Sequence, residues 1–370
     1  MVQPRRGAEG AAQVSTAASW LRRNLFSSWA SALATLTILY LAWALLPPFL
    51  EWALVKAIWW AQDSKACRDL QGAGACWAFI TEKHRFIIFG TYPYEQHWRP
   101  GVASALLIAL WCVSVLRTFW RWWLSLVWVA GLALIAMLMW GGVLGLTYVE
   151  NERWGGLILT LLLATFGSAF AFPLAVLLAL GRRSRLPAVR AVCVGYIELV
   201  RGVPLISLLF MASVMLPLFL PEGLTIDKLL RAQIALILFA AAYLAEVVRG
   251  GLQAVSHHQY EAAEALGLGY WKRTLFVILP QALRYAIAPL VNTFIGLFKD
   301  TSLVVIIGLF DLLTSLKVSL QEPAWTGFGV EAYLFAAAVY FLFCWAMSVY
   351  SQGLERDLAR DGAPRLLRGA

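Results

Sequence analysis

Apolar runs long enough to cross a bilayer recur along this chain, and they leave few architectures open to it. A helix needs about 20 mostly apolar residues to span the hydrocarbon layer. Eight stretches approach or exceed that length: about 29–50, 102–116, 124–148, 155–180, 191–220, 230–252, 281–310 and 328–350. Within lipid every backbone N–H and C=O must find its partner inside the segment or in a closed sheet. The expected fold is therefore an all-α integral membrane protein with about eight transmembrane helices. Hydrophobic residues make up 61% of the chain, against about 45–50% in a soluble domain. The 18 Trp residues suit the depth of the lipid headgroups, where an amphipathic ring is at home.

The formal net charge of +9 does not point to nucleic acid, because the basic residues gather at the ends of apolar runs. They fall at 1–23 (Arg5, Arg6, Arg22, Arg23), 117–121 (Arg117, Arg121), 181–190 (Arg182, Arg183, Arg185, Arg190), 272–273 and 356–368 (Arg356, Arg360, Arg365, Arg368). Cytoplasmic loops carry an excess of Lys and Arg. Eight crossings place all five clusters on that side, with both termini cytoplasmic and membrane lipid as the surrounding partner. The first run is too long for a signal-peptide core and has no small-residue cleavage pattern behind it, so it reads as an anchor.

Residues 51–100 mix both signs of charge and read as an external loop. An oxidising compartment would permit a disulfide between Cys67 and Cys76; two free thiols are the alternative. The five Cys have no metal-like spacing, and no HExxH or GxSxG string appears. No catalytic residue, metal site or bound cofactor is expected. The first three spans carry no internal charge and read as packing and anchoring elements. The organisation expected is a cytoplasmic segment 1–28, a three-span extension 29–153, a core 154–353 and a cytoplasmic tail 354–370.

One loop has a pattern of its own. Between the sixth and seventh runs, residues 256–280 contain good helix formers from Glu261 through Ala262, Ala263, Glu264 and Ala265 to Leu266, then Gly267, where a helix would stop. A short amphipathic piece follows, and Leu279-Pro280 closes it, with Pro tolerated in a first helical turn. Two short helices joined at a glycine are expected here.

Ionisable groups inside spans cost about 2.5–3.5 kcal/mol at a helix centre and so face other helices or water. Glu198 and Arg201 are three apart and share a helix face, as do Glu246 and Arg249. Each set reads either as a local structural pair or as a contact with a transport route or partner subunit. Lys299-Asp300-Thr301-Ser302 differs, since a helix starting at Gln281 carries Lys299 about 27 Å along its axis. Helices broken at membrane depth commonly line a substrate cavity, and this segment would offer both ends of a zwitterion a partner, with Lys299 or Thr301 towards a carboxylate and Asp300 towards an ammonium. A pair that fixes a helix break for structural reasons is the other reading.

The 256–280 spacing resembles the EAA loop of permeases from ABC importers: Glu261-Ala262-Ala263, three residues, Gly267, then Leu279-Pro280, with Val277 in place of the usual Ile. From Trp154 onward the chain is similar to the polar amino-acid permeases of that class. The strings Tyr196-Ile-Glu198-Leu-Val-Arg201-Gly202-Val-Pro204, Ala242-Tyr243-Leu-Ala-Glu246-Val-Val-Arg249-Gly250-Gly251 and Lys299-Asp300-Thr301-Ser302-Leu303 carry the likeness. The resemblance implies a type I importer core of five helices, here behind a three-helix extension, in a bacterial inner membrane. It implies that the 256–280 loop docks on a separate ATPase dimer, which holds the ATP and Mg, and that a periplasmic amino-acid-binding protein delivers substrate. The layout also looks like the longer permease of the general L-amino-acid importer, which pairs with a related second permease, so a heterodimer is favoured over a homodimer. The rival, an ion-coupled secondary transporter of a small polar solute, would normally show inverted repeats, and none is visible.

Overall fold

The computed structural model describes residues 19–61, 64–69, 74–221, 223 and 225–362. The chain divides into two compact units, 1–81 and 82–370. In the first, helix α1 spans Trp29–Leu50 and continues into a π-helical turn, Glu51–Val55. Ser28 starts it with a capping box: its hydroxyl accepts from the Ser31 N–H, and the Ser31 hydroxyl accepts from the Ser28 N–H. No residue of α1 is buried, and an exposed helix apolar on all sides belongs in lipid. After it, Cys67 and Cys76 are joined by a disulfide with their Cα atoms 5.9 Å apart.

Further α-helices among the described residues are α2 (Ala78–Phe89), α3 (Trp98–Val115), α4 (Trp123–Trp140), α5 (Gly156–Arg182), α6 (Pro187–Gly202), α7 (Leu205–Phe210), α8 (Lys228–Ala254), α9 (His257–Ala265), α10 (Leu279–Asp300), α11 (Leu312–Ser319) and α12 (Gly329–Gly362). Among the described residues, seven helices are long and apolar enough to cross a membrane, and a bent pair makes an eighth. The short second run gains its length upstream, where the helix begins at Trp98 rather than near 102. The stretch 51–100, expected as a loop, contains helix α2.

The fifth run, expected as one span from about 191 to 220, is broken. Helix α6 and the helical stretch Leu205–Leu218 meet at 103°. The cause is Pro204, which clashes with a helical residue before it and pushes Val203 into extended backbone.

Two apolar cores organise the second unit. In the first, α8 packs against α5 and α10. The contact surfaces are small: Ala171, Ala175 and Ala179 recur every fourth residue on α5, facing Ala241 and Ala245 of α8, with Ala282 and Ala286 on α10. Gly251 lets α8 close on α10, because a Cβ there would lie 2.4 Å from the Ala282 carbonyl oxygen. Without a hydrophobic drive in lipid, such close approach supplies the van der Waals contact that holds membrane helices together. The second core joins α3 and α4 to the other face of α5 through Leu107, Leu110, Ile135, Met139, Ile158 and Leu161, with Phe298 closing it.

Candidate functional site

The 256–280 segment forms α9, a sharp turn at Gly267, and a second helical piece starting at Tyr270. The turn satisfies the orphan carbonyls of α9 in a Schellman pattern: Gly267 N–H bonds to Glu264 C=O and Leu268 N–H to Ala263 C=O. Gly267 sits at φ +72° with open space around it, so its backbone conformation, not crowding, demands glycine. Glu261 and Ala262 are exposed while Ala263 is buried. Helix α9 therefore packs one face on the protein and shows the other outward.

The second piece is not separate from the seventh span. A π-helical turn, Arg273–Ile278, carries it into α10, with Pro280 in the first α-turn and exposed and Leu279 half-buried. The Glu261 carboxylate is held below the usual range by hydrogen bonds from His258 at 3.2 Å and His257 at 3.0 Å.

A charge network lies at the same end of the bundle. Glu246 accepts from Arg249 Nη2 at 2.7 Å and Nε at 2.9 Å, as the three-residue spacing implied. Glu198 and Arg201 do not pair. The carboxylate of Glu198 takes Arg182 Nη1 at 2.8 Å from α5, and the same nitrogen lies 3.1 Å from Glu246. Arg201, in the last turn of α6, reaches Glu246 only at 3.9 Å and lies 5.4 Å from the Tyr243 ring centroid. A shared helix face allowed the local pair, but a guanidinium from a neighbouring helix took the carboxylate.

Tyr243 also borders a cavity of about 430 Å³ between α8 and α10, lined by Phe239, Tyr243, Asn292, Thr293, Gly296 and Asp300 among others. Of the Lys299–Ser302 segment, only Asp300 lines it. Lys299 is exposed elsewhere on the helix. Thr301 is fully buried and donates to Phe298 C=O at 2.7 Å, and Ser302 donates to Lys299 C=O at 2.8 Å. Both hydroxyls serve their own backbone where α10 tightens into the 3-10 turn Thr301–Ile307. The helix break expected here is thus a tightening rather than an unwinding.

Beyond that turn sits a knot that the sequence did not single out. Asp311 is fully buried at the N-cap of α11. Its carboxylate accepts from the N–H groups of Leu313 at 3.1 Å and Thr314 at 3.0 Å, from the Thr314 hydroxyl, and from Tyr340 at 3.2 Å. Burial pushes its carboxyl up, against the pull of these donors. The Thr160 hydroxyl of α5 accepts from Leu312 N–H at 3.2 Å, and Gly155 and Gly156 pair with Phe310 and Asp311 as parallel backbone bridges. An acid that directly follows a long apolar run was the available signal for this group. For Tyr243 and Arg182 the sequence offered only membership of a helix and of a basic cluster.

Over residues 171–360 the chain matches the family described as "Binding-protein-dependent transport system inner membrane component". It is 52% identical over 356 residues to the inner membrane amino-acid ABC transporter permease protein YhdY of Escherichia coli (strain K12), covering 95% of each chain. It is 38% identical over 411 residues to the glutamate/glutamine/aspartate/asparagine transport system permease protein BztC of Rhodobacter capsulatus, covering 93% of this chain and 94% of that one. A crystal structure of an amino acid ABC transporter with histidines is 32% identical, with a TM-score of 0.49, covering 55% of this chain and 92% of that one.

Proposed function

Because the chain belongs to the family of binding-protein-dependent transport system inner membrane components, we propose that it carries amino acids across the membrane and couples to a separate ATPase through α9. It is a membrane-spanning permease subunit of an ABC importer, and family membership sets aside the ion-coupled carrier. The importer core is residues 154–353, and 29–153 is a three-span N-terminal extension. The amino-acid assignment draws on two amino-acid transport permeases that align over nearly the whole chain.

The observation that carries the coupling reading is the α9–Gly267 turn, which presents Glu261 and Ala262 outward on a capped bend. Orientation follows from the basic clusters: the α9 end is cytoplasmic, as are both termini, and the Cys67–Cys76 bridge lies outside. An ATPase dimer docks inside, a binding protein delivers outside, and a related permease is the second membrane subunit. Within the path, the cavity between α8 and α10 takes the substrate. Asp300 faces the ammonium, while Arg201, reached past Tyr243, meets the carboxylate on its way inward. A site without partners would cost several kcal/mol per charge, on the order of the penalty for an unpaired buried ion.

Purification of the native complex tests the assembly: the ATPase and a second permease should be present together. Gly267→Pro cannot adopt φ +72° and Glu261→Lys reverses the outward charge. Each should abolish uptake while the chain still inserts. Normal uptake in both would sink the coupling assignment. Asp300→Asn should alter apparent affinity or substrate range with the ATPase still bound; unchanged transport would remove Asp300 from the site.

A further inference from the structure

Tyr260 stands immediately before Glu261, and its side chain turns away from the exposed face of α9 toward the bundle. The phenol donates to the Leu252 carbonyl at 3.3 Å. Arg183 Nη1 donates to that same carbonyl and to the phenol oxygen, each at 3.2 Å. Leu252 lies in the last turn of α8, where carbonyls have no partner within the helix. A helix end that would stand open is thus closed by side chains from two other elements. Arg183 directly follows α5 and brings its charge to the negative pole of α8, where a cation is favoured.

The ring itself is bracketed. The guanidinium of Arg183 lies 5.8 Å from its centroid and that of Arg273 lies 5.9 Å away, both within the roughly 6 Å reach of a cation–π contact. Arg273, which opens the π-helical turn leading into α10, also bonds to Glu264 of α9. Elsewhere the junction between α8 and α9 has no side-chain cap: Val255 is extended and held by apolar packing alone, and Ser256 makes no side-chain capping bond.

We propose that Tyr260 and Arg183 are positioning residues for transport, transmitting displacement of α9 into the ends of α8 and α5. Helix α8 carries Phe239 and Tyr243 of the cavity wall, so moving its end moves that wall. Without the phenol–guanidinium–carbonyl triangle, α9 would swing about Val255-Ser256 and Gly267 and leave α8 behind. The proposal rests on the reading of α9 as the ATPase contact.

The test uses the complete importer, purified with its ATPase and binding protein and reconstituted in lipid vesicles. Three quantities are measured: bound ATPase, ATP hydrolysis stimulated by the binding protein, and uptake of a radiolabelled mixture of proteinogenic L-amino acids per ATP consumed. Tyr260→Phe keeps the ring and removes only the hydroxyl. It and Arg183→Met should retain the ATPase, yet lower uptake per ATP by about fivefold or more, the factor that matches one net hydrogen bond. Arg183→Lys should recover part of the loss. Uptake per ATP at the wild-type level, or a loss in proportion to missing ATPase, overturns the proposal. Glu261→Lys run in parallel separates the two readings. If it is defective while Tyr260→Phe is normal, only the triangle fails; if it binds the ATPase and transports normally, the coupling assignment fails as well.

Discussion

The two ends of the helical bundle hold their charges in opposite ways. At the α9 end, Glu246 has three guanidiniums around it at 2.7, 3.1 and 3.9 Å, and its side chain keeps 15% exposure. At the other end, Asp311 is sealed from solvent, with four donors on two oxygens. A carboxylate with several interchangeable partners can trade one for another at little cost. A buried carboxylate whose donors come from its own helix cap and from α12 has no second arrangement, because an unmade bond in a dry site is expensive. The first end can exchange partners, whereas at the second the start of α5, the segment before α11 and α12 are bonded together.

The largest expected effect comes from breaking the fixed end. Asp311→Ala strands buried donors, each costing about 1–3 kcal/mol, so a loss of about 3 kcal/mol or more is expected in denaturation of the detergent-solubilised protein. Adding Tyr340→Phe should not restore it, since the backbone donors of α11 remain unmet. Glu246→Gln should cost less, about 1–2 kcal/mol, a value between exposed and buried ion pairs. It should be partly rescued by Arg201→Gln, which relieves the guanidiniums left facing one another. A double-mutant cycle on each pair checks the comparison: equal rescue at both ends would erase it.

A smaller effect is expected at the turn. Gly267→Ala should destabilise by about 1 kcal/mol, the cost of a side chain in the left-handed region, and should lower uptake more than it lowers melting temperature.

The smallest concerns pH, and there the two ends differ in sign. Asp311 is raised above its ordinary 3.8, so the folded chain binds the extra proton and this group's contribution to stability falls as pH rises from about 4 through the raised value. Glu261 is depressed below 4.5 by His258 and His257. Its contribution is present above 4.5 and is lost as pH falls through the lowered value. Melting curves between about pH 3.5 and 6 should therefore flatten in opposite senses for Asp311→Asn and Glu261→Gln. A common direction would refute the assignment of burial to one group and pairing to the other.

Much of the loop end was legible in the sequence because its determinants are local. A run of helix formers, a glycine at the stop and a proline in the next first turn are short-range instructions, and the α9–Gly267 bend follows them. The Glu246–Arg249 pair is likewise a matter of helix spacing. The Glu198–Arg201 pair failed because its competitor, Arg182, is 16 residues away in sequence and arrives only when α5 and α6 pack. Of the Lys299–Ser302 segment, spacing placed charges and a helix break at depth. Which of the four residues meets the cavity depended on the rotation of α10 against α8.

By itself, the sequence determined that the chain lives in a bilayer, where its one patterned loop bends, and which family it joins. These rest on hydrophobic length, charge at the ends of runs and turn chemistry, all of which act within a few residues. Tertiary structure alone decided the cavity wall at Tyr243 and Asp300, the sealing of Asp311, and the seat of Arg183 on the last turn of α8. Each of these joins residues from helices far apart in the chain. Helix packing in lipid is chosen by the fit of small surfaces such as Ala175 and Gly251, not by a pattern any one segment carries.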